Sequence, residues 1–264
     1  MNLSLFSTLR GYRKEYLLKD IFSGIIIAAV SIPISMGYAQ ISGIPAVYGL
    51  YGSVFPILLF ALFSTSRQFI FGVDAAPAAI VGGALSTLGI AAESEAAMDY
   101  VPAIALFAGL WLFIFFLLHA DKIVDFISTP VMGGFISGIA VTIILMQIPK
   151  LMGSPAGSGE LLELAEHIFA AAKNISWLSL FMGLGALVLI RLFKKLAPKF
   201  PMAIVIMALG VFSTVVFHVD EKGVILLQSV ERGLPSLVIP DFGNIDLTQA
   251  AGRGLMVAVV IMAE

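Results

Sequence analysis

Four stretches of the chain, 21–40, 46–64, 100–118 and 129–148, contain no Asp, Glu, Lys or Arg at all. Each is about as long as the roughly 20 apolar residues that carry a helix across a bilayer core. Runs of that kind leave few solutions, because a helix apolar on every side must be hidden by protein or by lipid. Further apolar segments follow at 75–89, 176–193 and 200–217, and an eighth runs from 247 to 264. Hydrophobic residues make up 59% of the 264 residues and charged ones 12%, about half the charged share usual in a soluble domain. A single water-soluble core of this size cannot hide so much apolar surface. The sequence therefore predicts an all-α integral membrane protein with lipid as solvent for the outer faces of its spans.

The same residues exclude other classes. The net charge is −2 and no basic block is interleaved with aromatics, so nothing points to a nucleic-acid partner. Cysteine is absent, which removes disulfides, thiolate metal sites and cysteine nucleophiles together. No HExxH, GxSxG or paired acidic motif is present, so a membrane enzyme finds no support. His119, His167 and His218 lie singly near loops and read as surface residues, not metal ligands. No resident cofactor or metal is expected.

Charge sets an orientation. Residues 1–19 form an amphipathic lead-in, with Leu3, Phe6, Leu9 and Tyr12 at helical spacing. Arg10, Arg13, Lys14 and Lys19 precede the first apolar run without a small-residue cleavage site, which reads as a retained anchor. With a cytoplasmic N-terminus and alternating spans, those four join Arg67, Lys122, Arg191, Lys194, Lys195 and Lys199 inside. Lys150, Lys173, Lys222, Arg232 and Arg253 fall outside. That asymmetry follows the positive-inside bias. Between 149 and 175, Leu161, Leu164, Ile168 and Phe169 mark an interfacial helix behind a flexible Gly153–Gly159 lead. The run from Leu255 to Glu264 stops in mid-span without a polar flank, as expected of a fragment.

The third span is the short one. It follows a β-prone stretch, Gln68–Gly72, and non-helical backbone at membrane depth is tolerated only beside protein or a water-filled cavity. A short helix entered from such a stretch points to a binding site. Its N-terminus is Asp74-Ala-Ala-Pro-Ala-Ala79. Small side chains there let an anion approach the unpaired amides of Ala75, Ala76 and Ala78, while Pro77 has no N–H to give. Asp74 reads equally as an N-cap, accepting from the same amides, or as a polar lining residue. In the first span, Pro33 and Gly37 are expected to interrupt the helix; the alternative is a kinked, packed helix with Tyr38 as an interfacial anchor. Glu264 is an ionisable group deep in an apolar run, where such groups are costly and usually functional. Arg67 reads as structural, and Gly133, Gly134 and Gly138 as sites of close helix packing.

Several ordered stretches resemble the SulP family of anion transporters. They are Asp20–Gly24, Ser31–Ala39, Gly43–Tyr51, Phe55-Pro56, Ser64-Thr-Ser-Arg67, Ser128–Gly138, Gln147–Gly153 and Gly233–Pro240. The resemblance implies two inverted seven-span repeats, usually followed by a cytoplasmic STAS domain. This chain, 1–264, would hold the first repeat and most of span eight; the second repeat and any STAS domain would be absent. It also implies secondary active transport of a small inorganic anion, sulfate first, by alternating access with Na⁺ or H⁺ coupling. A homodimer in the cell membrane is implied for the full-length protein, with lipid as its other partner and Na⁺ as the only accessory ion. By the same resemblance, Ser35, Tyr38, Asp74, Ala75, Ala76 and Ala78 would meet the substrate, and Glu264 with Asp74 would serve cation coupling. Ile34 stands where many members carry Gln, and Val73 where many carry Pro. Bicarbonate, chloride or a dicarboxylate remain alternatives, as do a nucleobase permease of the same fold and a non-transporting role.

Overall fold

The computed structural model of the chain describes residues 12–64, 72–120, 129–157, 159, 161–196, 202–227, 233–235 and 240–263. The lead-in up to residue 11, the β-prone 68–71 stretch with Arg67, and Glu264 lie outside the described residues. Among those described, the regular structure is helical with no strand: α1 Leu17–Ile41, α2 Ala46–Phe63, α3 Ala75–Thr87, α4 Glu95–Leu117 and α5 Thr129–Leu151. Next come α6 Leu161–Lys173, α7 Trp177–Leu196, α8 Met202–Phe217 and α9 Leu247–Ala263. Among the described residues, five helical stretches are long and apolar enough to cross a membrane: Lys14–Ile41, Ala46–Phe63, Glu95–Leu117, Gly133–Leu151 and Trp177–Leu196. α3, α8 and α9 are apolar but shorter. Large apolar side chains such as Leu18, Phe22, Leu58, Phe113 and Val188 stand exposed, as helices solvated by lipid require. The chain is a multi-pass membrane protein.

The helices depart from the sequence expectation at several points, α1 and α4 first. α1 does not break at Pro33 or Gly37; it is helical from Leu17 to Ile41 with Pro33 inside. The proline ring holds a helix-compatible φ, so the loss is confined to one N–H and local crowding, which neighbouring groups and small backbone adjustments absorb in membrane helices. α4 begins at Glu95, ahead of the apolar run at 100, because the Ser94 hydroxyl accepts from the Ala97 N–H at 3.2 Å. The N-cap fixes the start there, and apolarity does not.

Helix packing is built on missing side chains. α4 and α9 form the most extensive helix contact, and α3 packs on both. Their shared core holds Ala84, Ala103, Ile104, Ala108, Ala250, Val257 and Ala258. A Cβ on Gly254 would sit 2.7 Å from Phe107 Cβ and 2.9 Å from the Ala108 N, so only glycine lets the two backbones approach this closely. The Trp111 indole donates to the Ala251 carbonyl at 3.0 Å across the same seam. Asp246 caps α9, accepting from the Thr248 and Gln249 N–H groups at 3.0 and 3.2 Å. Bonds from Gln249, first its backbone and then its side chain, hold the Asp246 carboxyl below the usual carboxylate range.

α6 combines two faces. Leu161, Leu162 and Phe169 are exposed, as on an interfacial helix. Leu164 differs: it is buried in a cluster with Ile41, Ala78 and Met146. The helix is thereby fastened to α1, α3 and α5, the elements around the short α3.

Candidate functional site

The N-terminus of α3 is set by Asp74, whose extended backbone (φ −122°, ψ 152°) precedes the helix. Its Oδ1 accepts from the Ala75 N–H at 2.5 Å, one residue short of the amides an N-cap usually reaches. The Ala78 N–H bonds the Asp74 carbonyl at a long 3.4 Å. The Ala76 N–H finds no acceptor among the described residues. Asp74 is exposed, Ala75 half-buried, and Ala76 and Ala78 are buried. The arrangement offers a carboxylate at the rim and backbone donors of a helix N-terminus behind it.

Tyr38 supplies the facing wall. It is half-buried and packs against the cluster holding Ala78 and Met146. The Asp74 carboxylate lies within electrostatic reach of its phenol. The structure thus brings together Tyr38, Asp74, Ala75, Ala76 and Ala78. Ser35 lies one turn before Tyr38 on α1; it is fully buried, its hydroxyl donates to the Ile32 carbonyl at 3.0 Å, and its own carbonyl faces Gly49 of α2. Glu264 lies outside the described residues.

Two glycine contacts hold α1 in register with its neighbours. A Cβ on Gly82 would fall 2.0 Å from the Ile41 carbonyl oxygen, and one on Gly49 would fall 2.1 Å from that of Ser35. Polar ties add to these. The Ser86 hydroxyl of α3 donates to Glu163 of α6 at 2.8 Å, and the Lys150 ammonium of α5 donates to Gln40 of α1 at 2.8 Å. Sequence reasoning missed Gln40, Ser86 and Glu163, since a polar pair far apart in sequence leaves no periodic signal. It placed Lys150 in a loop, whereas α5 runs to Leu151 with Pro149 inside. Met146 also went unremarked, yet it is 1% exposed beneath Tyr38 and Ala78. Among the described residues no group of His, Asp and Glu is placed to hold a metal ion.

A sequence profile described as the sulfate permease family matches residues 17–264. The chain belongs to that family. It is a family of transporters, not of enzymes. Sulfate transporter 4.1, chloroplastic, of Arabidopsis thaliana is 32% identical over 248 residues, covering 89% of this chain and 35% of that protein. A probable sulfate transporter of Mycobacterium tuberculosis is 24% identical over 255 residues, covering 97% of this chain and 45% of its own length. The chain therefore spans less than half the length of these relatives. Among solved structures, the transmembrane domain of the cyanobacterium bicarbonate transporter BicA superposes with a TM-score of 0.76 at 20% identity. That match covers 94% of this chain and 64% of the BicA domain, and it shows that the two share a fold.

Proposed function

We propose that this chain is the first part of the transport domain of a secondary anion transporter, with sulfate as the leading substrate. The observation that carries the reading is the meeting of the α3 N-terminus with Tyr38 of α1. An anion at that point gains backbone donors, the positive end of a helix dipole and a phenol. A single helix end is equivalent to roughly half a positive charge, whereas an ionised Asp74 contributes a full negative one. The site taken alone repels anions unless a proton or a Na⁺ ion offsets that carboxylate. Coupled uptake follows from this imbalance, and Glu264 with Asp74 are the residues assigned to it. The second wall of the site comes from a repeat beyond this chain, and the full-length protein works by alternating access as a dimer in the cell membrane with its N-terminus cytoplasmic. Ser35 is fully buried one turn from Tyr38, and its hydroxyl meets the substrate on this reading only by leaving the Ile32 carbonyl.

The test is uptake of labelled sulfate and of labelled bicarbonate by the full-length protein in proteoliposomes, across pH and with or without Na⁺. Sulfate uptake that saturates and depends on one of the two cations is expected. Glu264→Gln should flatten that dependence while leaving the KM for the anion within about twofold, because a carboxylate holds the cation and does not itself recognise the anion. Uptake of bicarbonate without sulfate would favour the chemistry named for the cyanobacterial neighbour. Uptake of uracil or xanthine, with neither anion carried, would refute the proposal.

A further inference from the structure

A second cationic feature stands apart from the α3 helix end. Lys150, in the last turn of α5, directs its ammonium to Gln40 Oε1 at 2.8 Å. No described carboxylate lies within ion-pair distance of it. An ammonium has three N–H donors, and Gln40 takes one of them, so the others are open to a further partner. Gln40 spends its carbonyl on Lys150, and its amide hydrogens have no acceptor among the described residues. Both side chains line a cleft of about 630 Å³, which also receives Glu93, Ser154 and Ser179. That volume is many times the roughly 30 Å³ a water molecule occupies, so an oxyanion enters with most of its hydration intact.

The position matters as much as the charge. Gln40 follows Tyr38 by two residues on α1, so its side chain leaves the helix about 200° away from the phenol. Lys150 gives the link instead: it stands one turn beyond Met146 on the same face of α5, and Met146 lies in the buried cluster that holds Ala78 and that Tyr38 packs against, so the cleft lies roughly 6 Å beyond that cluster, on the side where α1 ends. Glu93 reaches the same cleft from the α3–α4 turn, held there by its N–H on the Gly43 carbonyl at 2.8 Å, and its carboxylate acts against Lys150.

We infer that Lys150 and Gln40 form an anion capture site, which concentrates hydrated anions at one face of the membrane and loads the Tyr38–Asp74 site. The inference rests on the transport reading above. The ammonium's own contribution to a monovalent hydrated anion about 6 Å away in a nearly water-like dielectric is about threefold in affinity, which Glu93 offsets in part. The Coulomb energy doubles with charge, so a divalent anion gains about ninefold. The alternative for Lys150 is a purely structural tie between α1 and α5, which has no such dependence on anion charge.

Initial rates for sulfate and chloride, measured from each face of proteoliposomes holding the full-length protein, separate the two. Lys150→Gln should raise the KM for sulfate about ninefold and that for chloride about threefold, from the face where α1 ends only. Lys150→Arg should restore both to within about twofold, and Glu93→Gln should shift both KM values downward. Unchanged KM values in Lys150→Gln, equal fold-changes for the two anions, or equal losses from both faces that Arg does not rescue would each overturn the capture site alone. A wild-type protein that carries neither anion would refute the transport reading and the capture site with it.

Discussion

The closest approach of α3 to α1 makes a sharp test of what positions the candidate site. A Cβ added to Gly82 would meet the Ile41 carbonyl oxygen at 2.0 Å and its carbon at 3.1 Å, where ordinary contact begins near 3.4 Å. The obstacle is backbone, so no rotamer change relieves it, and α1 and α3 must part locally by about 1.4 Å. Overpacking of this kind costs about 1–3 kcal/mol. The Ile41 turn carries Tyr38 with it, so the wall facing Asp74 also moves. Gly83, the next residue on the same helix, has nothing within 4 Å of its Cβ position. Gly83→Ala should stabilise the helix by about 0.5–1 kcal/mol through reduced backbone entropy in the unfolded chain. The two alanine variants thus differ in sign for a one-residue shift in position. Thermal unfolding of the detergent-solubilised full-length protein, followed by tryptophan fluorescence, reads the stability. Sulfate uptake reads the site, with a KM raised severalfold in Gly82→Ala alone. Equal melting temperatures and equal KM values for Gly82→Ala and Gly83→Ala would refute the argument that this backbone contact sets the site.

Two further outcomes are expected. Asp74→Ala should lower stability by about 1 kcal/mol through loss of the cap on Ala75 and should also flatten the cation dependence of uptake; a stability loss with coupling intact would assign Asp74 to capping alone. Cysteines introduced at Ser94 and Lys194 should react with an impermeant thiol reagent from opposite sides of sealed cells, Ser94 from outside, and labelling of both from outside would reject the cytoplasmic N-terminus.

The parts of this fold that were legible in the sequence are those governed by one-dimensional patterns. Long uncharged runs announce helices that lipid must solvate, and Asp74 before a run of alanines announces a helix start. The interfacial character of α6 is visible in its alternation of Leu161, Glu163, Glu166 and Phe169. Other features depended on contacts that no local pattern encodes. Pro33 looks like a break because its cost is local and obvious, while the packing of α1 on α2 and α3 that keeps it helical comes from residues elsewhere in the chain. Leu164 belongs by periodicity to the membrane-facing set, yet it is buried with Met146 and Ala78. The start of α4 was misjudged by hydropathy because Glu95 and Asp99 are polar but lie beyond the Ser94 cap. Within the site, Tyr38 and Asp74 were visible as residue types in suggestive places. That the Ser35 carbonyl packs against Gly49, and that Gln40 bonds Lys150, required the three-dimensional packing of α1, α2 and α5.

On the proposed reading, the make-up of the α3 terminus also bears on selectivity. Ala75, Ala76 and Ala78 offer no side-chain donors, so recognition falls to backbone N–H groups, the helix dipole and the Tyr38 phenol. Such a site measures negative charge and the size of the approaching group, because it has no forked guanidinium or amide pair to read a particular oxyanion geometry. Ile34 adds none, since its apolar side chain is exposed on α1. Strong discrimination between anions of similar size requires a buried polar group that only one of them satisfies. The buried polar side chains about one turn to either side of Tyr38, Ser35 and Ser42, spend their hydroxyl hydrogens on the Ile32 and Ala39 carbonyls. Preference among sulfate, bicarbonate and chloride therefore has to arise where charge counts directly: at Lys150 before entry, and in how much of the Asp74 carboxylate's charge a bound cation must neutralise once a monovalent or divalent anion is seated.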